Sequence, residues 1–494
     1  SRRRCLVTGY SGLTYPSLYR EKRIMELNKL TTTEIAGRTL KEFYSGHTIC
    51  LGPGMPCSLA ELVDSNCGFK LMSDNGAYGY REKSDSVDES GLLNSNGNNV
   101  SICSGASIIS TDELGAMLRG GHVDFAVIEP GQVDSTGSFT HWTTAQTTGI
   151  HAPGSVLDLV QGCKKTIAIM THLNAEGNPN IVDKCDGVVD GISNVSLIIT
   201  DIAVISVHET GLRLDEVAPG WGADDVRVLT GCPLLVNESV KEIEFSRLPV
   251  TSKSKVYMSS LDAVKDIEDG STVMIDGFAG PGGMAHYLLV ALRDHGSKDL
   301  TIVSNTAGIA RVVNFGTPPG RLAIDHSILI ENKQVRKAIA SYPVSPSASR
   351  PSAFEIAYKQ GDVELELVPQ GTLAERLRAG GAGIGAFYTP TGAGTRIGDG
   401  KESKTIDGKE FLLEMGIRAD YALIRGYKAD TSGNVVYKGT SRNFNSVMAP
   451  AADITIVEVD EIVEPGEIDP ESIVTPGIYV SRVVRRPEEF SAYE

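Results

Sequence analysis

A chain of 494 residues is longer than one hydrophobic core serves, which predicts two or three domains, and 41% apolar residues suits packed domains. A net charge of -16 with a pI near 5.1 excludes a protein that holds nucleic acid by displacing phosphate counterions with a basic surface. No apolar run reaches the roughly 20 residues that cross a bilayer, and eight cysteines at irregular spacing without C-x-x-C read as reduced thiols, not a disulfide framework.

Taken in chain order, residues 1–28 come first as a basic extension. Arg2, Arg3, Arg4 and Arg20 stand among hydroxyl and aromatic residues with no acid before Glu21. That is the composition of a mitochondrial presequence or its remnant, so the expected location is the mitochondrial matrix. Thr31 and Glu34 then have capping-box spacing, which predicts a helix start. That helix feeds a strand and a glycine turn in Thr48–Leu62 (TICLGPGMPCSLAEL), and Phe69–Gly79 (FKLMSDNGAYG) reads as a strand ending in a polar turn. Val123–Gly137 (VDFAVIEPGQVDSTG) reads as a buried strand, a turn of Asp, Ser, Thr and Gly, and a further strand. Short strands are expected at Thr166–Met170 and Leu197–Ile205. Residues 237–254 show neither helical nor strand period and are expected to link one half, 29–236, to a second, 255–494.

The second half repeats the first. Ala419–Gly433 (ADYALIRGYKADTSG) aligns without a gap on Val123–Gly137: Asp124 on Asp420, Phe125 on Tyr421, Ala126 on Ala422, Asp134 on Asp430 and Gly137 on Gly433. Upstream, Thr272–Leu292 (TVMIDGFAGPGGMAHYLLVAL) repeats the strand and glycine turn of Thr48–Leu62, and the strand at Leu300–Val303 again ends in a polar turn. Thr372 and Glu375 fit a capping box, Gly380 a helix stop, and Ile454–Val459 a buried strand. Short apolar strands alternating with amphipathic helices predict an α/β fold of two related domains, each with a largely parallel sheet covered by helices. Gly381–Ala386 (GAGIGA) follows a helix instead of a strand, so it is not read as a dinucleotide-binding turn, and the scattered histidines predict no metal site.

Longer strings carry a resemblance. Pro369–Thr395 (PQGTLAERLRAGGAGIGAFYTPTGAGT), with Lys428–Asp430, Arg442–Asn445 and Ala451–Val463, resembles the α-type half of succinyl-CoA:3-oxoacid CoA-transferases. Gly52–Pro56, Ser73–Gly79, Arg119–Asp124, Asp158–Lys165, Ile198–Val204 and Ala218–Gly220 are similar to the β-type half. The resemblance spans about Thr31 to Arg485, with the β-type half first, the reverse of the family's usual fused order. It implies two NagB/RpiA-like domains with one site at their interface, a homodimer, no tightly bound cofactor, and coenzyme A thioesters and carboxylic acids as substrates.

The implied chemistry is covalent: a site carboxylate attacks an acyl-CoA thioester, and N–H donors stabilise each tetrahedral oxyanion. The family's Ser-Glu-Asn-Gly nucleophile turn matches Ser73, Asp74, Asn75 and Gly76, which makes Asp74 the candidate nucleophile. Asp in place of Glu draws the carboxylate back by about 1.5 Å, where a displacement near 1 Å already costs roughly a hundredfold in rate. Once activated, its carbonyl is also open to attack by the Asn75 nitrogen, closing a succinimide. The resemblance gives backbone and CoA-binding roles to Gly52, Gly54, Asn75, Gly76, Gly154, Gly277, Phe278 and Gly280, and supporting roles to Gln334, Gln370, Gly371 and Glu375. Departures gather at the same place: Cys50, Asp276, Ala279, Met284, His286, His141 and Ser155 replace the family's residues. The sequence therefore leaves three functions open. They are an active CoA-transferase, a catalytically impaired homologue retained as a structural or docking subunit of a mitochondrial assembly, and a CoA-ester hydrolase.

Overall fold

The computed structural model describes residues 27–63, 67–82, 91–141, 154–245, 254–276, 278, 283–312, 318–346 and 349–493. The basic stretch 1–26, Gly277 and Gly280 lie outside the described residues.

The first half is built on a ten-stranded sheet. Its strands are β1 (Thr48–Leu51), β2 (Lys70–Ser73), β3 (Ala77–Glu82), β4 (Val100–Ile108), β5 (Phe125–Ile128), β6 (Lys165–Met170), β7 (Val195–Thr200), β8 (Ala203–His208), β9 (Gly211–Val217) and β10 (Leu234–Glu242). They lie in the order β10-β9-β8-β7-β6-β5-β1-β2-β3-β4, with β2, β1, β5, β6 and β7 mutually parallel. The second half holds β11 (Val256–Tyr257), β12 (Thr272–Ile275), β13 (Leu300–Thr306), β14 (Val335–Tyr342), β15 (Glu364–Leu367), β16 (Ala419–Arg425), β17 (Ala452–Val459) and β18 (Arg482–Arg485). Their order is β11-β18-β17-β16-β12-β13-β14-β15, and every neighbouring pair is parallel.

Alternate residues of the central strands feed opposite cores, as a sheet covered on both faces requires. Ile49, Leu71, Phe125 and Ile167 enter one core while Cys50, Met72 and Ala126 enter another. In the second half Val273, Ile302, Tyr421 and Ile456 separate in the same way from Met274, Val303, Ala422 and Val457.

The repeat holds to the residue. Cys50 pairs with Ala126 and Met274 with Ala422, the matched alanines. Asp124 accepts the Thr48 N–H at 2.8 Å, and Asp420 the Thr272 N–H at 2.7 Å. Asp134 accepts the N–H groups of Thr136 and Ser138, and Asp430 those of Ser432 and Asn434. Gly137 and Gly433 close these turns at φ of 79° and 91°, the left-handed region that favours glycine.

The halves meet along a polar and glycine-lined seam. Asn434 donates to the Gly105 carbonyl at 2.9 Å, the His122 ring bonds the Gly381 carbonyl at 3.1 Å, and His122 packs edge-on against Tyr479. A Cβ on Gly383 would overlap the Arg119 carbonyl, so this close approach needs glycine.

Three local expectations are revised. Leu197–Ile205 is two antiparallel strands, β7 and β8, because the Thr200 hydroxyl takes the N–H groups of Ile202 and Ala203 and turns the chain. Strand β10 runs to Glu242 against β9, so the first sheet extends into the stretch read as linker. The Thr31–Glu34 capping box forms, whereas the second helix starts at Gln370 after Pro369 and buries Thr372 inside its first turn. Gly380 lies within that helix, where a Cβ would overlap the Ile417 carbonyl.

Candidate active site

Strand β1 has β2 on one side and β5 on the other, so the chain changes direction across the sheet there. A crevice outside the carboxyl ends of such strands is where open α/β sheets place their ligands. Three polar segments converge on it: Ser73–Gly76 after β2, Gly52–Cys57 after β1, and Glu129 directly after β5.

Asp74 is half-buried, and its carboxylate accepts the Ser155 hydroxyl at 2.6 Å. Its N–H donates to Ser95 Oγ at 3.3 Å, and Ser95 Oγ donates to the Leu51 carbonyl at 3.0 Å. Asn75 Nδ2 reaches the carbonyls of Leu93 and Asn94, which lays segment 91–98 over both turns. Gly76 sits at φ 105°, where a Cβ would overlap the Ile109 carbonyl. The hydrogen bonds of the Asp74 turn are all made within the first half.

The glycine turn after β1 is already satisfied by the chain itself. Gly52 N–H donates to the Val127 carbonyl at 2.9 Å, Gly54 N–H to Asn96 Oδ1 at 2.6 Å, and Met55 N–H to Glu129 Oε2 at 2.6 Å. Cys57 N–H turns back to the Gly54 carbonyl at 3.2 Å, and Pro53 and Pro56 have no N–H to offer. Gly54 has φ 90°, and a Cβ there would overlap the Glu129 carboxylate. Burial holds the nearby His141 ring below its ordinary pKa.

The nearby thiols are poor substitutes for a carboxylate nucleophile. Burial pushes Cys57 up to about 11 and Cys50 well above the usual thiol range, with the Asp74 charge adding to both. At neutral pH both are thiols, and the thiolate is the reactive form.

The matching turn of the second half follows the same logic. Asp276, fully buried, stands where register puts Gly52, and its Oδ1 takes the Phe278 N–H at 2.7 Å. Asn445 donates to Asp276 Oδ2 at 3.2 Å and to the Gly283 carbonyl at 2.9 Å.

A family model described as "Coenzyme A transferase" matches residues 32–228 and 257–486, both halves. The chain belongs to the coenzyme A transferase family. Within that family it is succinyl-CoA:3-ketoacid CoA-transferase-like. One chain of a probable succinyl-CoA:3-ketoacid coenzyme A transferase of Bacillus subtilis is 49% identical over 47% of this chain and 89% of its own length. One chain of the 3-oxoadipate CoA-transferase of Pseudomonas putida is 46% identical over 47% of this chain and 93% of its own. A mouse mitochondrial enzyme, succinyl-CoA:3-ketoacid coenzyme A transferase 2A, is 44% identical over 47% of this chain and 45% of its own. Among solved structures, an Escherichia coli O157:H7 acyl-CoA transferase in a thioester complex with CoA matches 48% of both chains at 24% identity and TM-score 0.40.

Of the residues singled out from sequence, the chain brings Asp74, Asn75, Gly76, Gly52 and Gly54 to one crevice, with Gly154 beside the Ser155 that holds Asp74. Phe278 lies at the equivalent turn of the other half, 38% exposed and edge-on to Phe444. Gln334 is buried away from either crevice, donating to the Leu292 and Ser297 carbonyls. Gln370, Gly371 and Glu375 open the helix Gln370–Gly381, where Glu375 pairs with Arg378.

Sequence reasoning passed over Glu129, Ser95 and Asn96. Glu129 carried a usable signal, a charged residue between a buried strand and a proline inside the repeat. Ser95 and Asn96 come from the connection between β3 and β4, and nothing local marks them as neighbours of a turn some forty residues earlier.

Proposed function

We propose that this coenzyme A transferase homologue is catalytically impaired and serves as a structural or docking subunit. One observation carries the reading: the N–H groups of the Gly52–Cys57 turn are all paired within the chain, beside an aspartate already bonded to Ser155. Acyl transfer between coenzyme A thioesters needs free donors at each oxyanion and a carboxylate at attack distance. Asp74 is a methylene short, and its turn lends no donor from the glycine side. The N-terminal composition and the mitochondrial relatives support a mitochondrial assembly as the setting, with a homodimer inherited from the family.

A second reading is favoured by the position of Asp74 itself, a carboxylate at the carboxyl end of β2 in the crevice. In that reading the Asp74 carboxylate attacks succinyl-CoA, giving a mixed anhydride and coenzyme A thiolate. The thiolate then attacks the aspartyl carbonyl, expelling succinate and leaving an enzyme thioester that a 3-oxoacid reverses.

Intact-mass analysis after incubation with acetoacetyl-CoA separates the two. The impaired reading expects no coenzyme A adduct and no loss of one water from the Asp74–Asn75 peptide, the mark of succinimide closure on an activated aspartyl group. An adduct mapped to Asp74, or that dehydrated peptide, establishes the transfer reading instead.

A further inference from the structure

We infer that Glu129 is an autoinhibitory residue, an intramolecular carboxylate that excludes acyl-CoA from the Asp74 crevice. The inference rests on the impaired-site reading and names the group responsible for it.

The geometry is that of an anion in place. Glu129 Oε2 lies 2.6 Å from the Met55 nitrogen, the short separation of a charge-assisted bond. The space it fills exists because Gly54 has no Cβ. Pro130 follows it and restricts its main chain. An acyl oxyanion or substrate carboxylate approaching this turn meets a negative charge already seated on the donor it would use. Asn96 completes the closure on the neighbouring Gly54 N–H, and its Nδ2 returns to the Gly54 carbonyl at 3.0 Å.

The internal repeat gives the contrast. The residue matched to Glu129 is Arg425, which turns away from its glycine turn to Asp460 at 2.7 Å and to the Glu458 carbonyl at 3.3 Å. In the second half the Asp276 carboxylate takes the Phe278 N–H. Two unrelated substitutions therefore give one result, an acidic side chain on the donor of each turn. In the first half packing alone does not require the arrangement, since Asn96 is exposed and Glu129 only half-buried.

The test combines nucleophile repair with removal of the block. Asp74→Glu, Asp74→Glu/Glu129→Ala, Asp74→Glu/Glu129→Gln and Asp74→Glu/Asn96→Ala are incubated with acetoacetyl-CoA, and coenzyme A adducts are followed by intact mass. Asp74→Glu alone is expected to label slowly. Adding Glu129→Ala is expected to raise the rate by roughly tenfold or more, the worth of one charged hydrogen bond. Glu129→Gln keeps an oxygen on the Met55 N–H but removes its charge, and is expected to raise the rate by less than Glu129→Ala. Asn96→Ala, at an exposed position, frees only Gly54 and is expected to raise the rate by a smaller factor. Equal labelling of Asp74→Glu and both donor-freeing double variants overturns the inference, whether that common rate is fast or zero. An adduct on the unaltered protein instead sinks the impaired-site reading, and Glu129→Ala on that background still tests the block.

Discussion

At matched positions the two halves keep the aspartates that shape each repeat and differ at the ends of the strands that lead to the crevice. Asp124 and Asp420 make the same bond to the start of the neighbouring strand, and Asp134 and Asp430 build the same turn. At the strand ends, register sets Asp74 against Asn305, Gly52 against Asp276, Glu129 against Arg425 and Ile169 against Glu458. Bonds within a fold unit constrain both copies alike, because an unpaired buried N–H costs the same in either. Crevice residues answer to a ligand or to one another, and there the copies have separated.

The sharpest way to break that comparison is to remove the shared turn aspartates one at a time. Asp134→Ala unpairs the Thr136 and Ser138 N–H groups and the Thr136 hydroxyl, with an expected cost of about 2 kcal/mol. Asp430 is wholly buried and also accepts Asn434 Nδ2, the same group that reaches across to the Gly105 carbonyl. Asn434 in turn takes the Gly477 N–H at 2.8 Å. Asp430→Ala is therefore expected to cost about 4 kcal/mol and to loosen the seam between halves. Calorimetric unfolding checks both: the Asp430 variant should lose cooperativity between halves as well as midpoint, while the Asp134 variant loses midpoint alone. Equal losses would show that the seam draws nothing from the Asp430 turn.

A further effect is expected at Glu458, the position that register matches to Ile169 of the first half. Ile169 sits in an apolar core without penalty, whereas burial raises Glu458 to about 7 against the pull of Arg425, Arg486 and the N–H groups of Leu288 and Tyr287. A carboxyl whose folded pKa is raised contributes stability that is complete below the unfolded value of 4.5 and is lost as pH rises through about 7. Wild-type protein should therefore lose stability relative to Glu458→Gln across that window, by up to roughly 3 kcal/mol. Unfolding midpoints of both proteins from pH 4.5 to 8 test it. Parallel profiles would mean that Glu458 titrates alike in the folded and unfolded protein.

Much of this arrangement was legible in the sequence. The ungapped match of Val123–Gly137 to Ala419–Gly433 carries the strand, its register and the aspartate turn together, since all three are local. The carboxylate at Asp74 and the glycine turn at Gly52–Gly54 were legible by resemblance. What the turn's donors bind was not, because Asn96 and Glu129 arrive from connections 42 and 74 residues away. The short strands β7 and β8 read as one because a single threonine hydroxyl, Thr200, makes the turn that apolar periodicity does not register.

The mildest contrast lies at two helix starts of the same design. Thr31 and Glu34 form a capping box in the first half, with the Thr31 N–H on Glu34 at 2.8 Å, and Ser352 and Glu355 form one in the second, also at 2.8 Å. Water can replace the lost bonds at Thr31, which is exposed, so Thr31→Ala should cost about 1 kcal/mol or less. Ser352 is 1% exposed, and Glu355 also takes the Ser345 N–H at 3.0 Å, tying Ser345 to the box. Ser352→Ala strands the part-buried Glu355 N–H and opens a gap at a buried position, and about 2 kcal/mol is expected. Unfolding midpoints of the two variants decide it: a Thr31→Ala loss as large as that of Ser352→Ala would show that the cap bond itself, and not its burial, sets the cost in both halves.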